Sequence, residues 1–121
     1  MATIKDKKRA AVASAMLRAD DYWSEAFIDL GLNDLNYSDL FFQMWLRADT
    51  PLTKTGLYDF MPGISRRTAV KYVQDLIDRK LLREEFAPED RRVKFISLSN
   101  EVKGRLEKYL DFAYQEMRNI S

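Results

Sequence analysis

The sequence contains neither cysteine nor histidine. Disulfides, thiolate catalysis and thiol sensing are therefore excluded. A zinc site would have to rely on carboxylates alone, which is an unusual donor set. The commonest general acid–base side chain is missing too, so carboxylates and lysines are the only groups left for proton transfer. No apolar run approaches the roughly 18 residues of a membrane span. Residues 1–9 are polar and basic and no apolar run follows them, so a secretory signal peptide is not expected and a cytoplasmic protein is. Breakers are scarce as well: four glycines and three prolines in 121 residues. Five of these seven, Gly31, Pro51, Pro62, Gly63 and Pro88, stand between the expected elements and punctuate the chain.

What remains is an ordinary globular balance, 46 % hydrophobic and 32 % charged, long enough for one compact domain. The net charge is only +1. Its distribution says more. Residues 1–11 carry four basic groups and one acidic, residues 12–61 three and eight, residues 62–94 nine and six, and residues 95–121 four of each. Affinity for phosphates depends on local neutralisation, not on whole-chain charge. The basic residues of 62–94 are thus the ones to follow.

Helical periodicity of Val12, Met16, Ala19, Trp23, Ala26, Phe27 and Leu30 predicts a helix over 4–30, stopped by Gly31. Such a helix would be about 40 Å long. It is expected to be an arm whose apolar stripe a second chain buries; the plainer alternative is a helix folded over its own core. Ser38 is the expected cap of a second helix over 39–49, apolar on most sides and so expected to be central. A ligand cage of Phe41, Phe42 and Trp45 is conceivable, but core packing is the preferred role. Thr53 opens a short helix with Leu57, Phe60 and Met61 inward. Ser65 caps a helix over 66–79 whose inner stripe is Ala69, Val70, Val73, Leu76 and Ile77. The period then changes. Residues 82–86 and 93–98 read as two strands, joined by a polar turn over 87–92. A last helix follows, capped by Ser99 or Asn100, with Val102, Leu106, Tyr109, Leu110, Ala113 and Met117 as its stripe.

Short helix, turn, capped helix and hairpin together make a winged helix-turn-helix. The expected class is mainly α with a small β-hairpin, flanked by long N- and C-terminal helices, in one domain over 1–121. Its parts are an arm over 1–31, the winged helix-turn-helix over 38–98 and a dimerisation helix over 99–121. With Val73 at the centre of the buried face of the Ser65-capped helix, Arg67, Thr68 and Lys71 point outward and Tyr72 and Gln74 flank them. The outer face is basic at its start and acidic at Asp75 and Asp78. That polarity suits a recognition helix, which enters the major groove by its N-terminal end. Arg67 can bind a guanine edge, Thr68 a thymine methyl or a phosphate, and Lys71 a base acceptor or a phosphate. Ser65 and Arg66 stand where free N–H groups favour phosphate. Arg66 falls near the buried azimuth, so backbone contact is its expected role. Arg91, Arg92 and Lys94 cluster at the hairpin, where an arginine can reach a minor groove. Each of these charges could instead be a solvated surface group, and Asp90 could simply pair with an arginine to hold the turn. Their joint placement favours DNA.

At these residues the sequence resembles the MarR family of transcriptional regulators. The motifs are Leu52-Thr53, Ile64-Ser65-Arg66-Arg67-Thr68, the run from Leu76 to Leu82, and Pro88-Glu89-Asp90-Arg91-Arg92 followed by Ile96-Ser97-Leu98-Ser99. The likeness covers residues 35–99. It implies that Asp90 and an arginine brace the wing, that Arg91 and Arg92 serve its tip in the minor groove, and that the terminal helices form a homodimer. A small apolar effector is also implied. The functional expectation is sequence-specific binding of double-stranded DNA in transcriptional regulation, as a repressor, with no cofactor and no enzymatic activity. The alternative is a winged-helix module that binds protein and not DNA.

Overall fold

A computed structural model describes residues 3–120; Met1, Ala2 and Ser121, which the boundaries above include, lie outside the described residues. The elements are α1 (Ile4–Phe27), a 3-10 turn (Ile28–Leu30), α2 (Leu35–Leu46), α3 (Lys54–Tyr58), α4 (Arg66–Asp78), β1 (Leu82–Ala87), β2 (Asp90–Leu98) and α5 (Asn100–Arg118). The fold is mainly helical with one antiparallel hairpin, as expected. The chain forms two compact units. One holds the residues up to Asn33 with those from Gly104 onward; the other is Asp34–Lys103.

In the first unit α1 and the later turns of α5 run antiparallel. Tyr22 stacks on Phe112 with centroids 4.4 Å apart, and Trp23 meets Tyr109 edge-on at 5.1 Å. The Trp23 indole donates to the Leu32 carbonyl at 2.9 Å, so its buried N–H is satisfied. Arg105 grips both Asp29 oxygens, at 2.6 and 2.9 Å, and the Ala26 carbonyl at 2.8 Å. This guanidinium holds the Asp29 carboxyl below the usual carboxylate range. The stop at Gly31 is real: at φ 69° it closes the chain through Gly31 N–H to Ile28 and Leu32 N–H to Phe27. The helix proper ends earlier, however, at Phe27. Its buried stripe is Ala15, Ala19, Trp23 and Phe27, whereas Val12 and Met16 of the expected stripe, assigned above to burial by a second chain, are exposed in the single chain. The stripe is displaced because the aromatic contacts with α5 set which face turns in.

The second unit packs Leu40, Phe41, Met44, Leu57, Met61, Val73, Leu76, Leu82 and Ile96 into its core. The second helix starts at Leu35, not at Ser38. Asp34 is its cap, accepting from Asn36 N–H at 2.8 Å. Ser38 is buried inside the helix and donates to the Leu35 carbonyl. Nor is α2 central on all sides: Leu46 is 70 % exposed and Trp45 also reaches the surface. Thr53 and Ser65 cap α3 and α4 through Gly56 N–H and Thr68 N–H, and the Ser99 hydroxyl accepts from Val102 N–H to open α5. At the end of α4, Leu81 N–H bonds the Leu76 carbonyl and Lys80 N–H that of Ile77. This terminus needs one left-handed residue, and here it is Lys80, at φ 64°.

Candidate nucleic-acid interface

The turn before α4 ends on Ser65, whose hydroxyl accepts from Thr68 N–H at 3.2 Å and donates to the Thr68 hydroxyl at 3.0 Å. This double tie fixes the first turn of α4. The earlier N–H groups of the helix have no intrahelical acceptor, which is general to helix starts. Arg67 and Lys71 lie on the exposed face of this half, and among the described residues nothing pairs with either charge. The acidic trailing half is different. Asp75 holds Arg79 at 3.2 Å, and Asp78 accepts from the Gln74 amide at 2.9 Å. The free positive charge of α4 is thus concentrated at its N-terminal end.

Two residues of α4, Arg66 and Val70, sit otherwise than their spacing suggests, and a third, Tyr72, stands on the flank as expected but is committed to other contacts. Arg66, expected near the buried azimuth, is exposed, with its guanidinium 5.3 Å from the centre of the Tyr58 ring. The first turn of α4 meets the end of α3 there, and a planar guanidinium stacks on an aromatic face more readily than it enters a core. Val70, expected inside, is 40 % exposed. It lies about 60° round the helix from Val73, at the edge of the buried stripe. Tyr72 is half-buried. Its ring stacks on Tyr37 at 4.9 Å and its hydroxyl donates to Asp34 at 3.0 Å. That places Tyr72 between α4 and the start of α2, with its hydroxyl already used. The Asn36 N–H, joined by Tyr72, keeps the Asp34 carboxyl below its ordinary range, and the Asp34 carboxylate pushes the Tyr72 phenol up.

The hairpin turn is shorter than the six residues expected. Ala87 pairs with Asp90, leaving Pro88 and Glu89 as the loop, so Asp90, Arg91 and Arg92 belong to β2. The register slips between Phe86, opposite Lys94, and Ala87, opposite Asp90. Residues 91–93 are therefore extra on β2. They form a bulge, a device that bends a strand and re-aims its side chains. Asp90 accepts from Arg92 N–H at 2.9 Å and from the Arg92 guanidinium at 3.1 and 3.3 Å. Arg92 holds the Asp90 carboxyl below its usual range. Arg91 is exposed and, among the described residues, unpaired. Lys94 turns back along the hairpin to Glu84 at 3.6 Å and over the Phe86 ring at 5.2 Å.

Sequence reasoning missed the polar tie that joins helix-turn-helix to wing. Lys54, the first residue of α3, donates to the Gln74 amide oxygen at 3.2 Å and pairs with Glu84 on β1 at 3.3 Å. One signal was available. A lysine just inside a helix start opposes the helix dipole and asks for a carboxylate nearby. The Ile96 N–H adds a backbone tie to the Leu52 carbonyl at 2.8 Å. On the outer face of the hairpin, a groove of about 420 Å³ is lined by Trp45, Leu52, Phe95 and Ile96 with Arg83, Glu85 and Lys103 at its polar edge. Among the described residues no cluster of acidic side chains could hold a metal ion, and no helix is long and apolar enough to cross a membrane.

No protein-family model and no curated protein matches the sequence. Solved structures do match. A MepR point mutant from a multidrug-resistant S. aureus clinical isolate superposes with a TM-score of 0.75 at 16 % identity, covering 98 % of this chain and 81 % of that one. A MepR mutant bound to an oligodeoxyribonucleotide gives 0.70 at 17 %, covering 98 % and 81 %. BpsR of Bordetella bronchiseptica, whose DNA binding 6-hydroxynicotinic acid regulates, gives 0.51 at 19 %, covering 99 % and 83 %. These neighbours are MarR-family transcriptional regulators, and the fold of this chain is theirs.

Proposed function

We propose that this chain is a MarR-like regulator that binds double-stranded DNA in a sequence-specific way, acting as a repressor and as a homodimer, with no enzymatic step. One observation carries the reading. Arg67 and Lys71 are exposed and unpaired on the leading half of a Ser65-capped helix, while the acids of the trailing half are engaged with other side chains. In this reading α4 enters the major groove. Arg67 reads a guanine edge, Lys71 contacts a base or phosphate, and Thr68, tied to Ser65, contacts phosphate. Ser65 and Arg66 hold the backbone at the helix start. Arg91 meets the minor groove or its phosphates, Arg92 is held to the wing by Asp90, and Lys94 lends charge from the flank. Tyr72 serves by fixing α4 against α2.

The homodimer would use the exposed apolar residues of α1. Val12, Met16 and Leu17 lie within two turns of one another on a helix of 24 residues. A small apolar effector belongs to the same reading, supported by the regulation of BpsR by a small molecule. Within the winged-helix unit, the groove beside Trp45 and Phe95 has room for one.

The test is selection from a pool of random duplexes at low and then physiological salt. A palindrome should be enriched, with binding that falls steeply as salt rises. Absence of binding even at low salt would defeat this reading in favour of a protein-binding winged helix.

A further inference from the structure

The exposed residues of α4 are charged or amide side chains, with one exception among the described residues: Val70. We infer that Val70 reads DNA sequence, by packing its methyl groups against the 5-methyl group of a thymine in the major groove beside the base addressed by Arg67. The inference rests on the DNA-binding reading above and goes one step further, to a base type.

Three observations bear on it. First, Val70 follows Arg67 by three residues and precedes Gln74 by four, so the three share one stripe of the helix. Second, two of the neighbours that could compete for the base, Gln74 and Thr68, are already committed, while Lys71 carries a charge that does not recognise a methyl group. The Gln74 amide accepts from Lys54 and donates to Asp78, which uses both ends of the group that would otherwise recognise adenine. The Thr68 hydroxyl is held by Ser65 and its side chain is half-buried. Third, valine in a helix is nearly confined to one rotamer, so its methyl groups present a fixed apolar surface without loss of side-chain freedom on binding. Of the four bases, thymine alone carries a methyl group into the major groove, and apolar side chains recognise it by contact. The other exposed apolar residue of the interface, Phe86 on the wing, is partly covered by the Lys94 ammonium group.

The experiment uses the full chain and the duplex recovered by selection. Each thymine of the site is replaced in turn by deoxyuridine, which removes the methyl group and leaves the hydrogen-bonding pattern intact. Dissociation constants are measured by fluorescence anisotropy for the unaltered protein and for Val70→Ala, an exposed change to a better helix former. At one thymine, loss of the methyl should weaken the unaltered protein about fourfold, the value of one buried methyl group converted to an equilibrium constant. The same replacement should change Val70→Ala by less than about twofold, because the contact is already lost. Binding that no deoxyuridine alters, or that both proteins lose equally, overturns the role of Val70 and leaves DNA binding standing. Failure of the unaltered protein to bind any duplex overturns both.

Discussion

Lys54 and Glu84 form an ion pair at 3.3 Å that joins the first residue of α3 to β1. The paired Glu84 oxygen is buried and makes no hydrogen bond among the described residues, so the lysine charge is its main compensation. Because Lys54 also holds Gln74 on α4, one side chain ties α4 to the hairpin.

Lys54→Met should therefore lower stability by about 0.5–1 kcal/mol, the upper part of the range for partly exposed pairs. The urea midpoint at low salt measures it. The difference from the unaltered protein should shrink at 1 M salt, where exposed charges are screened. A salt-independent loss would assign the effect to packing of the lysine stem.

Tyr72→Phe removes the hydrogen bond to Asp34 and keeps the ring on Tyr37, at an expected cost of about 1 kcal/mol at neutral pH. Acid and alkali should each weaken this pair, acid by protonating Asp34 and alkali by deprotonating Tyr72. The folded state lowers the Asp34 pKa, so the stability this contributes is present above the unfolded value near 3.8 and is lost as pH falls through the lower folded value. It raises the Tyr72 pKa, so that contribution is present below about 10 and is lost as pH rises through the folded value. Urea midpoints across this range should show both losses in the unaltered protein and a smaller alkaline loss in Tyr72→Phe.

Arg67→Ala should cost about 1–3 kcal/mol on the selected site and relax preference at one base pair. Arg91→Ala should weaken binding to all duplexes and reduce the salt slope by about one. Arg92→Ala should reduce that slope less than Arg91→Ala does, because Asp90 already neutralises Arg92. Equal effects of the two wing arginines would mean that the Asp90 pair opens on DNA.

Met16 is 58 % exposed in the single chain. If α1 is the dimer arm, Met16→Glu should shift sedimentation from twice the 14.2 kDa chain mass toward one, and DNA affinity should fall with it. A dimer unchanged by this substitution and by Leu17→Glu would remove α1 from the interface.

Lys80 pays a steric penalty at φ 64° that glycine does not. Lys80→Gly should raise stability by about 0.5–1 kcal/mol, less than the full penalty because glycine gains freedom in the unfolded chain. Thermal unfolding at neutral pH checks the sign.

What could be read from the sequence was local. The caps at Thr53, Ser65 and Ser99 each bond an N–H three residues on, within reach of any reading of neighbouring residues. The stop at Gly31 is local too, as is the change of period from α4 to the strands, so the order of elements and the winged-helix class were legible. Tertiary structure decided whatever depends on a distant partner. Asp34 became the cap of α2 and the acceptor of Tyr72, 38 residues away. Lys54 found Gln74 and Glu84. The contact of α1 with α5 chose Ala15 over Met16 for burial. Val70 was turned outward because it stands at the edge of its stripe, where the neighbouring elements, not the helical period, determine exposure. Periodicity specifies which residues share a face; only packing specifies how wide the covered part of that face is.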